Sequence, residues 1–314
     1  MASKIRSLLT LLRIRQYYKN VLIFVSIFFS KKLFDFSLYI PLILGFILLC
    51  CTSSFNYIIN DIIDIEQDKK HLEKLKKKPL ASGALSIYFA VALIIVLIVA
   101  GLFIVAALLF LIPNWDFILM IVLIIITGQA YNHFLKNYAF IDIIILSTGY
   151  LWRALAGCMI IREFISAWLF LVIFEIAMFL SIAKRKGDLQ FLGKDKAIEH
   201  KKVYDQYSVK LLDQFHVMIA GSLFMTYSLY LILKFNLFEQ ESINLWEYIA
   251  IFTIPILFYI IMRYTYLTSA KPEIARRPER AFLDKSILIA GFIFLGTIFI
   301  TFYFEQIISF FSSL

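Results

Sequence analysis

Apolar residues gather into nine runs along the chain, at about 18–30, 38–59, 87–112, 115–135, 138–160, 164–183, 211–234, 245–269 and 286–310. A helix crossing a bilayer core needs roughly 20 residues, and all but the short first run approach or exceed that length. Ile, Leu, Phe and Val fill the runs without sustained period-two alternation, which favours helices over a transmembrane barrel. The pattern predicts an all-α polytopic membrane protein with about nine transmembrane helices, organised as a single integral-membrane domain over 1–314.

Composition supports that class. The chain is 61% hydrophobic and only 17% charged, against roughly 45 to 50% and about 25% for soluble domains. The three cysteines, Cys50, Cys51 and Cys158, lie inside apolar runs with no metal-ligand spacing, so they read as small buried hydrophobes. Arg and Lys interrupt the apolar residues of MASKIRSLLTLLRIRQYYKN, so this segment reads as an interfacial amphipathic helix rather than a cleavable signal.

The net charge of +9 is distributed unevenly. Lysines and arginines concentrate in the N-terminal segment and in loops 2/3, 6/7 and 8/9, with Lys136 alone in loop 4/5, while the other side holds Lys31, Lys32, Arg162 and Lys234. Basic residues are enriched in cytoplasmic loops. The N-terminus is therefore expected in the cytoplasm and the C-terminus across the cell (inner) membrane. This bias and attraction to anionic lipid account for the charge, so no nucleic acid is required.

The acids carry more chemistry. Asn60, Asp61, Asp64 and Asp68 open loop 2/3 in NDIIDIEQD, before a lysine-rich stretch ending KPLASG. If the helix continues, Asp61, Asp64 and Asp68 fall at i, i+3 and i+7 on one face. Such crowding at a helix C-terminus opposes the helix dipole, and a divalent cation removes the conflict. Hard oxygen ligands suit Mg²⁺, which commonly bridges carboxylates to substrate phosphates. The bland alternative is a solvated helix end with acids and lysines paired along it.

Inside the bilayer, Arg153 and Glu175 each require a partner. A phosphate or carboxylate is expected for Arg153, and Asp142 is expected to meet a lysine such as Lys136. His71, His133, His200 and His216 read as loop or interfacial residues.

Five segments, LRIRQYYKNVLIF, SSFNYIINDIIDIEQDKKHLEKLKKKPLASG, AYNHFLKNYAFIDIIILSTGYLWRALAG, SAWLFLVIFEIAMFLSIAKRKGDL and PERAFLDKSIL, resemble the UbiA-type membrane prenyltransferase superfamily. Within it, the chain is most similar to the decaprenyl-phosphate phosphoribosyltransferase subgroup. The resemblance implies nine helices around a central cavity open to the cytoplasm. It also implies Mg²⁺-dependent transfer of 5-phosphoribose from phosphoribosyl diphosphate to a polyprenyl phosphate, a step of cell-envelope biosynthesis. Aromatic prenyltransferases of the superfamily usually carry a second DxxxD motif after span 6. This chain has Lys184, Arg185, Lys186 and Asp188 there, cations that suit a second phosphate. Lys78 stands where the subgroup has arginine, a point charge replacing a fork.

On this resemblance, Asn60, Asp61, Asp64 and Asp68 hold Mg²⁺ with the donor diphosphate, the three aspartates being catalytic. Lys19, Tyr57, Lys74 and Lys78 contact donor phosphates or ribose, and Lys136, Arg153, Lys184 and Arg185 take the lipid phosphate. The bilayer is the remaining partner, and a homo-oligomer is left open. A prenyl diphosphate donor with an aromatic acceptor is the alternative, disfavoured by the missing second acidic motif. A transporter is less supported still, because intramembrane charges are few and no inverted repeat is apparent.

Overall fold

The computed structural model describes residues 2–69, 75, 77–235, 237 and 248–312. It is all-helical there, with eight helices long and apolar enough to span a membrane: 36–63, 87–111, 116–133, 141–161, 167–192, 209–234, 250–270 and 285–309. Two compact units share them. Unit 1 comprises 1–136 and 148–164; unit 2 comprises 137–147 and 165–314.

Unit 1 begins with α1 (Ala2–Leu11), a 3-10 segment (Ile14–Phe24) and the five-residue α2 (Val25–Phe29). The expected first span is thus a tight coil and one short helical turn. Its physical cause lies in polar contacts and close packing. Asn20 is buried in hydrogen bonds to neighbouring elements. The Ile23 carbonyl lies so near Gly157 that a Cβ there would stand 2.0 Å from it.

The long helices of unit 1 are α3 (Tyr39–Ile63), α5 (Ile87–Leu111), α6 (Asp116–His133) and the larger part of α7 (Ile141–Ile161). The short α4 (Ile65–Lys69) continues α3 after a break at Asp64. Ser86 starts α5 by accepting from Phe89 N–H at 3.2 Å, which satisfies an orphan donor of the first turn. Ile23, Ile27, Leu42, Leu49, Leu108, Phe117 and Ile160 form the core. Val96, Val99, Leu102 and Phe103 of α5 are exposed, as expected of a lipid-facing helix.

Unit 2 contains the start of α7, then α8 (Ala167–Leu192), α9 (Lys194–His200), α10 (Val209–Lys234), α11 (Thr253–Ala270), α12 (Pro272–Arg276) and α13 (Lys285–Ser312). Ser166 and Ser208 cap α8 and α10 through Trp168 N–H and Leu211 N–H. Gly187 lets α12 cross α8 closely, since a Cβ would lie 2.5 Å from that of Ala275.

Candidate active site

The acidic face predicted from the sequence is formed at the junction of α3 and α4. Asp64 N–H donates to the Asn60 carbonyl at 3.0 Å, and Asp68 N–H to the Asp64 carbonyl at 2.8 Å, so helical register persists across the break. Asp61 and Asp68 consequently point to one place, where both are buried. Lys78 Nζ bridges them, 2.5 Å from Asp68 Oδ2 and 3.0 Å from Asp61 Oδ1. Asp64 takes a different cation, Lys136 Nζ, at 2.9 Å.

Arg13 completes this cluster. Its Nη2 donates to Asp61 Oδ1 at 2.7 Å, and its guanidinium lies 4.6 Å from the Tyr57 ring centroid. The residue has φ 52°, in the left-handed region that a side chain disfavours. That conformation turns the chain from α1 into the 3-10 segment and sends the guanidinium back toward α3. In the sequence Arg13 reads only as topological charge; its place in LRIRQYYKN is the available signal.

Beside the cluster, the Tyr57 hydroxyl donates to Gln16 Oε1 at 2.8 Å, and Lys19 Nζ donates to the same oxygen at 3.3 Å. Lys19 also lies over Tyr150, 5.7 Å from its centroid. Arg153 is buried and bonded only to neutral groups among the described residues. Its Nε donates to Asn20 Oδ1 at 2.7 Å, its Nη2 to Ser53 Oγ at 3.3 Å and its Nη1 to the Gly149 carbonyl. Unit 1 therefore holds a partner-bound acidic cluster and, nearby along the 3-10 segment, cations held by amides, hydroxyls and rings.

The donor chemistry fits a hard divalent cation. Carboxylate oxygens from one helical face converge on an ammonium, which occupies a cation position between Asp61 and Asp68. Among the described residues no three His, Cys, Asp or Glu groups converge tightly enough to form a metal cage. Mg²⁺ is typically held by one or two carboxylates together with substrate phosphates. Lys74 lies outside the described residues.

The residues expected to take lipid phosphate are placed differently from one another. Lys136 belongs to the acidic cluster through Asp64. In unit 2, Lys184 is exposed on α8, whereas Arg185 is buried on Asp142, donating through Nε and Nη2 to Oδ2 at 2.9 Å. Asp142 thus meets Arg185 and the Tyr207 hydroxyl (2.7 Å), not the expected lysine. Asp188 accepts from Tyr204 at 2.6 Å and Arg276 at 2.8 Å. Burial is the first cause raising the pKa of both Tyr204 and Tyr207, which keeps each phenol neutral and able to donate. Lys186 is fixed by Asp213 at 2.5 Å and Ser269 at 3.1 Å. Glu175 finds Ser222 and Thr226, two partners with no separate signal in the sequence.

Residues 21–285 match the UbiA prenyltransferase family. The decaprenyl-phosphate phosphoribosyltransferase of Mycolicibacterium smegmatis is 27% identical over 312 residues, covering 96% of this chain and 94% of that protein. The enzyme of the same name from Corynebacterium glutamicum is 27% identical over 254 residues, covering 79% and 74% respectively. Among solved structures, a UbiA homologue from Archaeoglobus fulgidus bound to GPP and Mg²⁺ aligns with a TM-score of 0.64. It is 17% identical and the match covers 94% of this chain and 99% of that one, a likeness of fold.

Proposed function

The chain belongs to the UbiA prenyltransferase family, and from that premise we propose that it transfers 5-phosphoribose from phosphoribosyl diphosphate to a polyprenyl phosphate, releasing diphosphate. It is a membrane-embedded transferase. One observation carries the choice of donor. In the segment where a second acidic motif would stand, the sole carboxylate, Asp188, is occupied by Tyr204 and Arg276. The acidic cluster of unit 1 is then the place for one metal-bound diphosphate, and the acceptor requires cations. The relatives that bear the decaprenyl-phosphate phosphoribosyltransferase name support the same reading.

The reaction demands stabilisation of a departing diphosphate and alignment of the attacking phosphate with the opposite ring face. A phosphate monoester is already ionised near neutral pH, so no general base is needed. In this proposal Asp61, Asp64 and Asp68, with Asn60, would hold Mg²⁺, which would supply positive charge to the departing diphosphate. Arg13, Lys78 and Lys136 neutralise the carboxylates before substrate arrives and turn to phosphate oxygens afterwards. Lys19 and Tyr57 contact donor phosphate or ribose. Arg153 contributes charge toward the acceptor phosphate. Arg185 positions the end of α8 through Asp142. The carboxylate end of unit 1 is proposed to face the cytoplasm, in keeping with the charge bias.

Incubation of the purified chain with radiolabelled phosphoribosyl diphosphate, polyprenyl phosphate and Mg²⁺ in detergent tests the proposal. The expected product is a labelled lipid that does not form in EDTA. Transfer of a prenyl group from prenyl diphosphate to an aromatic acceptor, with no labelled lipid, would refute it.

A further inference from the structure

At the opposite end of unit 1, the loop between α5 and α6 meets the segment after α7. Asn114 Nδ2 donates to the Met159 carbonyl at 3.0 Å, and Arg162 Nη2 donates to the Pro113 carbonyl at 2.9 Å. These bonds tie the two loops around a cavity of about 250 Å³, lined by Asn114, Asp116, Cys158, Met159, Arg162 and Phe164. The proposed transfer reaction uses none of them.

The charges in this cavity have a particular arrangement. Arg162 and Asp116 line the same space, yet among the described residues neither side chain forms an ion pair. Both side chains are exposed and held apart. Here one is held by a backbone carbonyl, from a residue with φ 55°. The other begins a helix whose first N–H is fixed by Asn114 Oδ1 at 3.0 Å. The cavity thus presents a guanidinium and a carboxylate at separate points, with Met159 and buried Cys158 supplying less polar lining.

We propose that this cavity binds the head group of a primary-amine zwitterionic phospholipid, such as phosphatidylethanolamine. Arg162 takes the phosphate in charge-assisted hydrogen bonds, and Asp116 accepts from the ammonium. A quaternary choline has no N–H to offer that carboxylate, and an anionic head group leaves it unpaired. The surroundings select a lipid over a free solute. Trp115 and Phe164 are 70% and 75% exposed beside the cavity, at the ends of spanning helices where aromatic side chains sit at head-group depth.

The test uses the full chain in detergent with an equimolar mixture of phosphatidylethanolamine, phosphatidylglycerol and phosphatidylcholine, bound lipid being read by native mass spectrometry. Wild type should retain phosphatidylethanolamine at least threefold over either other lipid, and glycerophosphoethanolamine, which lacks acyl chains, should displace it. Asp116→Asn should lose the preference over phosphatidylcholine. Arg162→Gln should lose retention of the lipid altogether. Melting temperatures without lipid check that the variants fold, and the wild-type selectivity stands without them. Equal retention of the three lipids, preference for phosphatidylglycerol, failure of the soluble head group to compete, or unchanged selectivity in folded variants would each overturn the assignment.

Discussion

Lys136 Nζ lies 2.9 Å from Asp64 Oδ1, although 72 residues separate them in the chain. If Asp64 holds Mg²⁺ as proposed, an ammonium there would compete with the cation for the carboxylate and be released when it binds. Lys136→Ala should therefore lower the Mg²⁺ concentration needed to raise the melting temperature of the substrate-free protein. It should also raise KM for phosphoribosyl diphosphate about tenfold, through loss of a charge-assisted phosphate contact. A rise confined to the acceptor KM would place Lys136 with the lipid phosphate instead.

The bridge between Asp61, Asp68 and Lys78 is more deeply buried. Removing Lys78 takes one cation away from two carboxylates that are 4% and 1% exposed, and leaves Asp61 with Arg13. Breaking a buried ion pair from one side typically costs about 3 to 5 kcal/mol. Lys78→Ala should lower the melting temperature in EDTA, and Mg²⁺ should restore part of the loss. Asp61→Asn or Asp64→Asn should abolish transfer while the protein remains folded. A Lys78→Ala protein equally stable with and without Mg²⁺ would count against a cation site between these carboxylates.

These two clusters show what was legible in the chain. The run at 87–112 became a helix at Ile87–Leu111, and the run at 286–310 one at Lys285–Ser312, because uninterrupted apolar filling in a bilayer leaves the backbone no other way to satisfy its polar groups. Placement of Asp61 and Asp68 on one face follows from the 3.6-residue period, a local property. Their cations are tertiary: Arg13 arrives from 48 residues away and Lys136 from 72 residues beyond Asp64. No helical period encodes such pairings. The run at 18–30 folds as a 3-10 segment and a short helix rather than a long α-helix, because hydropathy averages over Lys19 and Asn20, whose side chains bond to Gln16, Arg153 and Ser53.

Close approach at Gly157 is decisive for that first segment. An added Cβ would stand 2.0 Å from the Ile23 carbonyl and 2.7 Å from Ser26 Oγ. The carbonyl belongs to the backbone and cannot rotate away as a side chain would. Gly157→Ala should destabilise the protein by about 1 to 3 kcal/mol, the usual range for overpacking, seen as a lower melting temperature. An unchanged melting temperature would mean that the 3-10 segment shifts freely.

Arg185 and Asp142 offer a contrast between structural and binding roles. Asp142 is fully buried and satisfied by Arg185 and Tyr207. Arg185→Ala should lower stability by about 3 to 5 kcal/mol, and pairing it with Asp142→Asn should recover part of that loss, since the stranded charge is removed. A stable Arg185→Ala protein with a raised acceptor KM would instead make Arg185 a direct phosphate contact.

Arg153 separates function from stability most sharply. It is only 9% exposed, and its partners among the described residues are an amide, a hydroxyl and a carbonyl. These groups orient the guanidinium without neutralising it. A buried charge with no counter-charge among the described residues is costly to the folded state, and in the proposed function the acceptor phosphate would supply that partner. Arg153→Gln keeps a donor for Asn20 and removes the charge. The variant should melt at the same temperature as wild type or higher, yet lose roughly tenfold to a hundredfold in kcat/KM for the polyprenyl phosphate, the worth of one charge-assisted contact. KM for phosphoribosyl diphosphate should change far less. A variant that is destabilised but fully active once folded would make Arg153 a packing residue that braces the 3-10 segment through Asn20, and the acceptor phosphate would have to be held elsewhere.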